Sequence, residues 1–459
     1  MTFDIIPAQS VILTACGYAN PALIKTTWLA SKSKLSKAIT AIQLAALITY
    51  LLALTAMDAW IFSDLINRLS GFNQLYNAED PLIIRVVTWV WNATIAIRPL
   101  VILIIFATKR PHWKHLHRTV NMFAAVVYPD RKIARKVGRF SLVLLLVTFV
   151  AHVGYSTISW SDANGAFPPH EHRYNFCYFE ICFTLKEIVP IWIISTDLPF
   201  ILSQQVLVIG LAIAVTLLKG LQGVSYDIRA ETTKWLKEKS NDGKQEELLC
   251  EKICKWTFVY VKGQIVLRQL NEFFGWILLV SVGFDFVTAL GVSGYVMTSE
   301  RPLSRLSTTL NAGIAVLFLA YATVFFVPFV MLLEKSKEVD VLLRHLTWTV
   351  KRWTIHPGDS LENCSKHSDL SLKSRQISSK LRLEHSLNEL SELVQQNAFA
   401  VEAGGLFVFT RSYLVTVVSS IATLLLIAQE MMDRSVKATA AVPTSNNTFA
   451  GTFYSNYSL

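Results

Sequence analysis

Seven apolar stretches, each about the length needed to cross the hydrocarbon core of a bilayer as a helix, constrain this chain more than any other feature. They fall at roughly 38–57, 82–107, 139–160, 188–218, 271–297, 308–333 and 404–429. Inside a bilayer every backbone N–H and C=O must be paired within the protein, so only helices and closed barrels span it. These stretches are too long and too continuous for barrel strands. The expected fold is therefore all-α, a polytopic membrane protein with seven transmembrane helices. Composition agrees: of the 459 residues 52% are hydrophobic and only 17% charged, against about a quarter charged in an ordinary soluble domain.

The distribution of positive charge sets the orientation. Connections 1–37, 108–139, 219–270 and 334–403 hold 33 Lys and Arg residues, and the alternate connections hold 7. The first set is read as cytoplasmic. The N-terminus is then cytoplasmic and, after an odd number of spans, the C-terminus extracellular. The net charge of +10 thus reflects topology and attraction to anionic lipid rather than nucleic-acid binding. The first 24 residues carry no Lys or Arg, so no basic signal-peptide leader is expected and the first span serves as a signal anchor. Asn446-Asn447-Thr448 and Asn456-Tyr457-Ser458 in the tail are sequons usable only on the lumenal side, which makes Asn446 and Asn456 the expected glycosylation sites.

Three regions follow: a cytoplasmic N-terminal segment (1–37), the seven-helix transmembrane domain (38–429) and an extracellular tail (430–459). Two cytoplasmic segments within the domain carry apolar residues at helical spacing. Leu248, Leu249, Ile253, Trp256, Val259 and Tyr260 do so within 221–270. Ile377, Leu381, Leu387, Leu390, Leu393 and Val394 do so within 376–402. Both are expected to continue as helices into spans five and seven and to pack together as an anchor. The polar stretch 356–375 reads as a loop. No internal repeat is visible, which counts against transporters built from duplicated halves.

Ionisable residues within spans are the first functional candidates. Asp197, between Pro190 and Pro199, and Asp285, near the middle of span five, each suit either a ligand site or an interhelical hydrogen bond. Arg98 precedes Pro99 in span two and carries the same two readings, whereas Arg85 reads as snorkelling. The outer halves of the spans bring Trp89, Asn92, His152, Tyr155, Trp192, Asp197, Asp285 and Tyr321 to a similar depth. Aromatic faces with a few polar groups are the makeup of a small-ligand pocket. The competing reading of the Trp residues is an interfacial belt.

Other chemistry finds no support. His112, His115 and His117 sit in a basic loop without the companion His boxes of a membrane di-iron enzyme. His170 and His172 are too few for a metal site. Phosphate-binding loops and serine-nucleophile motifs are missing, so an enzyme is not expected, and neither is a cofactor. Cys177 and Cys182 lie in or beside an outside loop, as free thiols or as a disulfide, the former favoured.

One resemblance narrows the function. Ala403-Gly404-Gly405-Leu406-Phe407-Val408-Phe409-Thr410-Arg411-Ser412-Tyr413-Leu414 resembles the segment opening the last span of insect gustatory receptors. That family continues with Thr-Tyr, five hydrophobic residues and Gln-Phe. Here the aligned run is Ala422-Thr423-Leu424-Leu425-Leu426-Ile427-Ala428-Gln429-Glu430, which keeps the five apolar positions and Gln429. It departs at Ala422, Thr423 and Glu430, as a divergent member would. Leu267-Arg268-Gln269-Leu270-Asn271-Glu272-Phe273-Phe274-Gly275 is similar to the family's opening of span five.

The resemblance implies a tastant-gated, non-selective cation channel in the plasma membrane. It also implies a homo- or heterotetramer of related subunits, with cytoplasmic helices forming the anchor and the last span lining a central pore. Thr423, Leu426, Gln429 and Glu430 are then the expected pore residues. A ring of Glu430 carboxylates would concentrate cations and make conductance sensitive to pH. Glu430 also reads as the first wetted residue after the helix. An odorant-type receptor of the same superfamily and a secondary transporter are the alternatives. A G-protein-coupled receptor would need the opposite orientation. Expected partners are a small-molecule tastant and the lipid bilayer, with no nucleic acid.

Overall fold

The computed structural model describes residues 34–69, 82–127, 176–178, 181–183, 190–191, 193–237, 243–298, 326–355 and 370–420. It also describes separate positions within 136–154, 313–323 and 422–430. The described chain is almost entirely helical. Helix α1 spans Lys34–Leu69, α2 Leu82–Thr108, α3 Arg110–Val127, α4 Leu198–Lys237, α5 Gly243–Thr298, α6 Val327–Ile355 and α7 Leu370–Gln396. Residues 411–420 form a further helix, α8, at the start of the seventh apolar stretch, and the label also covers the helical positions 422, 423, 426 and 430 of that stretch. The described positions of the third stretch are helical too.

Among the described residues, Ile193–Lys237 and Gln245–Val292 are long and apolar enough to cross a bilayer by themselves, and Ala45–Trp60 and Ala93–Thr108 are shorter apolar helices. The longest element, α5, has 56 residues, about 84 Å at 1.5 Å per residue. The bilayer core takes about 20 of them, so much of α5 lies beyond the membrane. One continuous hydrophobic core runs through both parts. It includes Ile102, Leu103, Ile209 and Ile213 at the membrane level, and Ile253, Trp256, Leu343, Leu387 and Val394 in the extensions.

Four sequence expectations shift. The segment 221–270 is divided: its first part finishes α4, and α5 starts at Gly243. The sixth apolar stretch also continues well past its expected end, because Leu332, Val339, Leu343, Leu346 and Val350 repeat at helical spacing and are all buried. The stretch 108–139, read as a basic loop, holds α3. Trp113, Leu116, Val120, Phe123 and Ala124 form its buried stripe, a pattern that the interleaved Lys, Arg and His residues masked.

Finally, 376–402 does not run on as a helix. Helix α7 stops at Gln396 and a short hairpin follows, with Glu402–Ala403 paired to Phe407–Val408. Its turn uses Gly404 (φ 59°) and Gly405 (φ 72°), a left-handed backbone that glycine adopts without steric cost. A second hairpin pairs Phe176–Tyr178 with Ile181–Phe183 and puts Cys177 and Cys182 in register.

Candidate functional site

At the heart of the apolar bundle lies a closed polar cluster. Arg98 on α2 and Asp285 on α5 are both fully buried. Arg98 Nε stands 2.6 Å from Asp285 Oδ1, and Nη2 donates to Asp285 Oδ2 at 3.0 Å. The remaining guanidinium donors are also taken. Nη2 donates to Ser281 Oγ at 3.0 Å and Nη1 to Ser203 Oγ at 3.3 Å. The Gln204 side-chain oxygen, turned toward Arg98, accepts from Nη1 at 3.3 Å and from Nη2 at 3.1 Å. The Ser281 hydroxyl in turn donates a hydrogen bond to Asp285 Oδ2 at 3.0 Å, and the Ser203 hydroxyl donates to the Phe200 carbonyl at 2.8 Å.

The Phe200 ring lies 5.2 Å from the guanidinium carbon and meets Phe318 edge-on at 5.7 Å. Nearby, the Thr94 and Thr288 hydroxyls hydrogen-bond at 2.8 Å across α2 and α5. Burying one ion costs several kcal/mol, repaid only when a partner and further hydrogen bonds complete its shell. Here a buried counter-ion and several hydrogen bonds are in place, and the cluster fastens α2, α4 and α5 at a single depth. Pro99 interrupts the helical ladder next to the cluster: without an N–H it gives no helical bond to the Ile95 carbonyl.

Asp197 lies about 9 Å further along the same helical line, counting 1.5 Å per residue from Ser203. It ends a π-helical turn, Ile193–Asp197, in which Ser195, Thr196 and Asp197 are buried. The wider turn passes into α4 just before Pro199, which cannot donate a backbone hydrogen bond to the preceding turn. Tyr50 on α1 closes over it, its hydroxyl donating to the Ile194 carbonyl at 3.1 Å. The acid thus sits where the π-helical turn passes into α4, inside one continuous helical run.

Of the expected ligand residues, Asp197 and Asp285 are placed, and Asp285 has both carboxylate oxygens engaged by Arg98. Trp89 and Asn92 belong to α2, but their side chains lie outside the described residues, as do His152, Tyr155, Trp192 and Tyr321 entirely. Of the pore residues, Thr423, Leu426 and Glu430 are exposed on the single chain, at the spacing that shares one helix face. Thr423 donates to the Ser419 carbonyl at 2.9 Å, and Gln429 falls outside the described residues. So do Asn446 and Asn456. Among the described residues no group of His, Cys, Asp and Glu is arranged to hold a metal ion.

A second polar site, missed in the sequence, joins the extensions to the last span. The strand-like segment 397–410 is held by side chains of α5 and α6. The Tyr260 hydroxyl donates to the Asn397 carbonyl at 2.6 Å, and Gln264 donates to the same oxygen. Ser336 accepts from the Phe399 amide at 3.1 Å. Asn271 uses both ends of its amide, donating to the Ala400 carbonyl at 3.0 Å and accepting from the Glu402 amide at 3.2 Å.

Gly275 lets this segment pass, since a Cβ there would stand 3.2 Å from the Gly404 nitrogen and 3.3 Å from the Glu402 carbonyl. Phe409 stacks on Phe326 at 4.8 Å, and Phe407 stacks on Tyr413 at 5.0 Å. Burial pushes the Tyr260 phenol above its ordinary pKa, with hydrogen bonds to Ser336 and Gln264 drawing it partly back, so it stays a proton donor. The segments 267–275 and 403–414, which carry the sequence resemblance, are therefore packed directly on one another.

Comparison with known proteins agrees with this architecture. A family profile described as 7tm chemosensory receptor matches residues 44–428. The insect olfactory receptor OR5 from Machilis hrabei superposes with a TM-score of 0.54 at 12% identity, over 91% of this chain and 96% of that one. The same receptor in complex with eugenol gives 0.55 at 9% identity, over 92% and 97%. At such identities the likeness shows the fold. No curated protein sequence matches.

Proposed function

The chain belongs to the 7tm chemosensory receptor family, and from that premise we propose that it is a gustatory-type, tastant-gated, non-selective cation channel of the plasma membrane. The observation that carries the reading is the state of α8. A helix opening an apolar span is left largely uncovered by its own chain, with Val415, Val418 and Leu426 at least half exposed. Such a surface needs other occupants, and related subunits around a shared pore supply them. Thr423, Leu426, Gln429 and Glu430 then line the pore of a homo- or heterotetramer. The charge bias puts the extensions in the cytoplasm, as the anchor, and the tail with Asn446 and Asn456 outside, where it can be glycosylated.

Ligand binding in the outer half, among Trp89, Asn92, His152, Tyr155, Trp192, Asp197 and Tyr321, acts on α4 from its π-helical end. Asp285 belongs to the same site through Arg98, as the group that fixes how α2 and α5 meet beneath it. The hydrogen-bonded segment 397–410 then ties movement of α5 and α6 to the base of α8. Whole-cell recording from cells expressing the chain, alone and with related subunits, against a panel of sugars and bitter amines tests the proposal. Evoked cation currents are expected, and surface-expressed protein without conductance but with substrate uptake would replace the channel by a transporter. Glu430→Gln is expected to lower cation conductance and flatten its pH response while leaving surface expression unchanged. An unaltered current would remove Glu430 from the pore.

An odorant-type receptor is the second reading, favoured by the solved neighbour that holds eugenol. Small aromatic volatiles in the same panel separate the two.

A further inference from the structure

We propose that the outward face of α3 is a docking surface for anionic phospholipid headgroups of the bilayer that the chain itself spans. This rests on the membrane-spanning fold and not on gating. Helix α3 starts at Arg110, directly after α2 ends at Thr108, so it lies where a membrane span meets water. Its inner face is firmly seated. Trp113 packs against Phe106 at 5.8 Å and Phe273 at 5.7 Å. Phe123 fills the space over Gly220, where a Cβ would stand 2.8 Å from its ring. Lys109, at the junction, donates to the Glu272 carbonyl. The helix cannot roll, so its other face is fixed in direction.

That other face is written in two parts. The first half presents His112, Lys114, His115 and Arg118, all exposed. At 100° per residue the second half continues the same face with Met122 and Val126, 54% and 40% exposed. No Asp or Glu occurs anywhere in the 18 residues of α3. Among the described residues no carboxylate pairs with Lys114 or Arg118.

Cations without counter-ions beside bare apolar side chains fit the headgroup and acyl boundary of a membrane, where phosphate meets the first and hydrocarbon the second. An acidic soluble protein would satisfy the Lys and Arg but leave Met122 and Val126 in water. A second copy of this chain would have to meet four basic or imidazole side chains with a complementary acidic face, and α3 offers none to itself.

The test uses the full chain in nanodiscs of phosphatidylcholine, with and without phosphatidylserine. Photoreactive analogues of each lipid are crosslinked, and adducts on 109–127 are mapped by mass spectrometry. Phosphatidylserine is expected to label α3 in preference to phosphatidylcholine. The double variant K114Q/R118Q is expected to lower that preference about fivefold per charge removed, and K114R/R118K to keep it. Should the glutamine variant fail to fold, raising salt on the wild type provides the second measurement and is expected to erode the preference.

Equal labelling by both lipids overturns the proposal, as does a preference that survives charge removal in folded protein. So does an α3 that takes no label and exchanges its amide hydrogens alike in both compositions, which would leave the face to solvent or to a second copy. Because nanodiscs carry the anionic lipid in both leaflets, the outcome does not depend on orientation. Ligand-evoked currents, measured separately, report on the channel reading alone.

Discussion

Helices α4 and α8 both belong to apolar stretches of the sequence and have opposite surroundings. In α4, most of the apolar stretch is buried inside the chain, and the helix touches α2, α3, α5 and α6. In α8, Val415 is 65% exposed and Leu426 67%. The difference lies in what each sequence offers its neighbours. Helix α4 carries Ser203 and Gln204 for the Arg98 cluster and Gly210 and Gly220 for the rings of Phe274 and Phe123. Helix α8 seats Tyr413 and Leu414 against the core, but among the described residues its β-branched face, Val415 and Val418 included, stays at least half exposed. A hydrophobic span can thus be either the hub of a subunit or its contribution to an assembly, and mean hydropathy does not separate the two.

The largest effect expected from disturbing the hub comes from Asp285→Ala. It leaves a buried guanidinium without its carboxylate, at a cost of about 3–5 kcal/mol. Thermal unfolding of the detergent-solubilised protein, followed by size-exclusion fluorescence, should show a large fall or no folded protein. The double variant R98A/D285A should be milder than the sum of the single ones; strict additivity would mean that the pair is not coupled. Gly220→Leu on α4 forces side-chain atoms into the Phe123 ring and should cost about 1–3 kcal/mol, read from the same melting curve. If it proves neutral, the seam between α3 and α4 is looser than the geometry indicates.

At the rim of the hub the effect should be small and dependent on pH. Burial alone would raise Glu338, but Lys335 at 2.8 Å and Arg229 at 2.6 Å outweigh it and hold its pKa below the ordinary glutamate value. The clasp between α4 and α6 is fully present above that ordinary value and is lost as pH falls through the lowered one. Being partly exposed, it is worth at most about 1 kcal/mol. Acid titration of Glu338→Gln against the parent should therefore show slightly less loss of stability at low pH in the variant. Smallest of all, Leu426→Ser on α8 should move subunit stability by no more than about 0.5 kcal/mol, while native mass spectrometry should show weaker assembly. A large loss of subunit stability would instead make α8 a core helix and erase the contrast.

Much of the hub was legible from residue spacing. Leu249, Ile253, Trp256 and Tyr260 announce α5 long before the membrane begins, and all four are buried. Local pattern failed where chemistry was shared across elements. Arg98 and Asp285 each stand out in an apolar span, yet their pairing depends on how α2 and α5 are turned toward each other. Helix α3 was obscured because its exposed Lys, Arg and His residues outweigh its apolar stripe in any windowed reading. In 397–402 the run Ala398-Phe399-Ala400-Val401 looks like more of α7. The buried hydrogen bonds from Tyr260, Asn271 and Ser336 draw it instead into an extended segment. The Gly404-Gly405 pair just beyond was the available signal. For the candidate ligand and pore residues, sequence offers only an expected depth and helix face, because which side chains converge is a matter of tertiary packing.

The Arg98–Asp285 pair also has an electrical consequence. A single charge moved across the membrane field does work of about 2.3 kcal/mol per 100 mV. Two opposite charges held 2.6 Å apart and moved together do almost none. Movement of α2 and α5 together, with the pair intact, is therefore nearly silent to membrane voltage. This pair thus gives the membrane potential almost no handle on how α2 and α5 sit together.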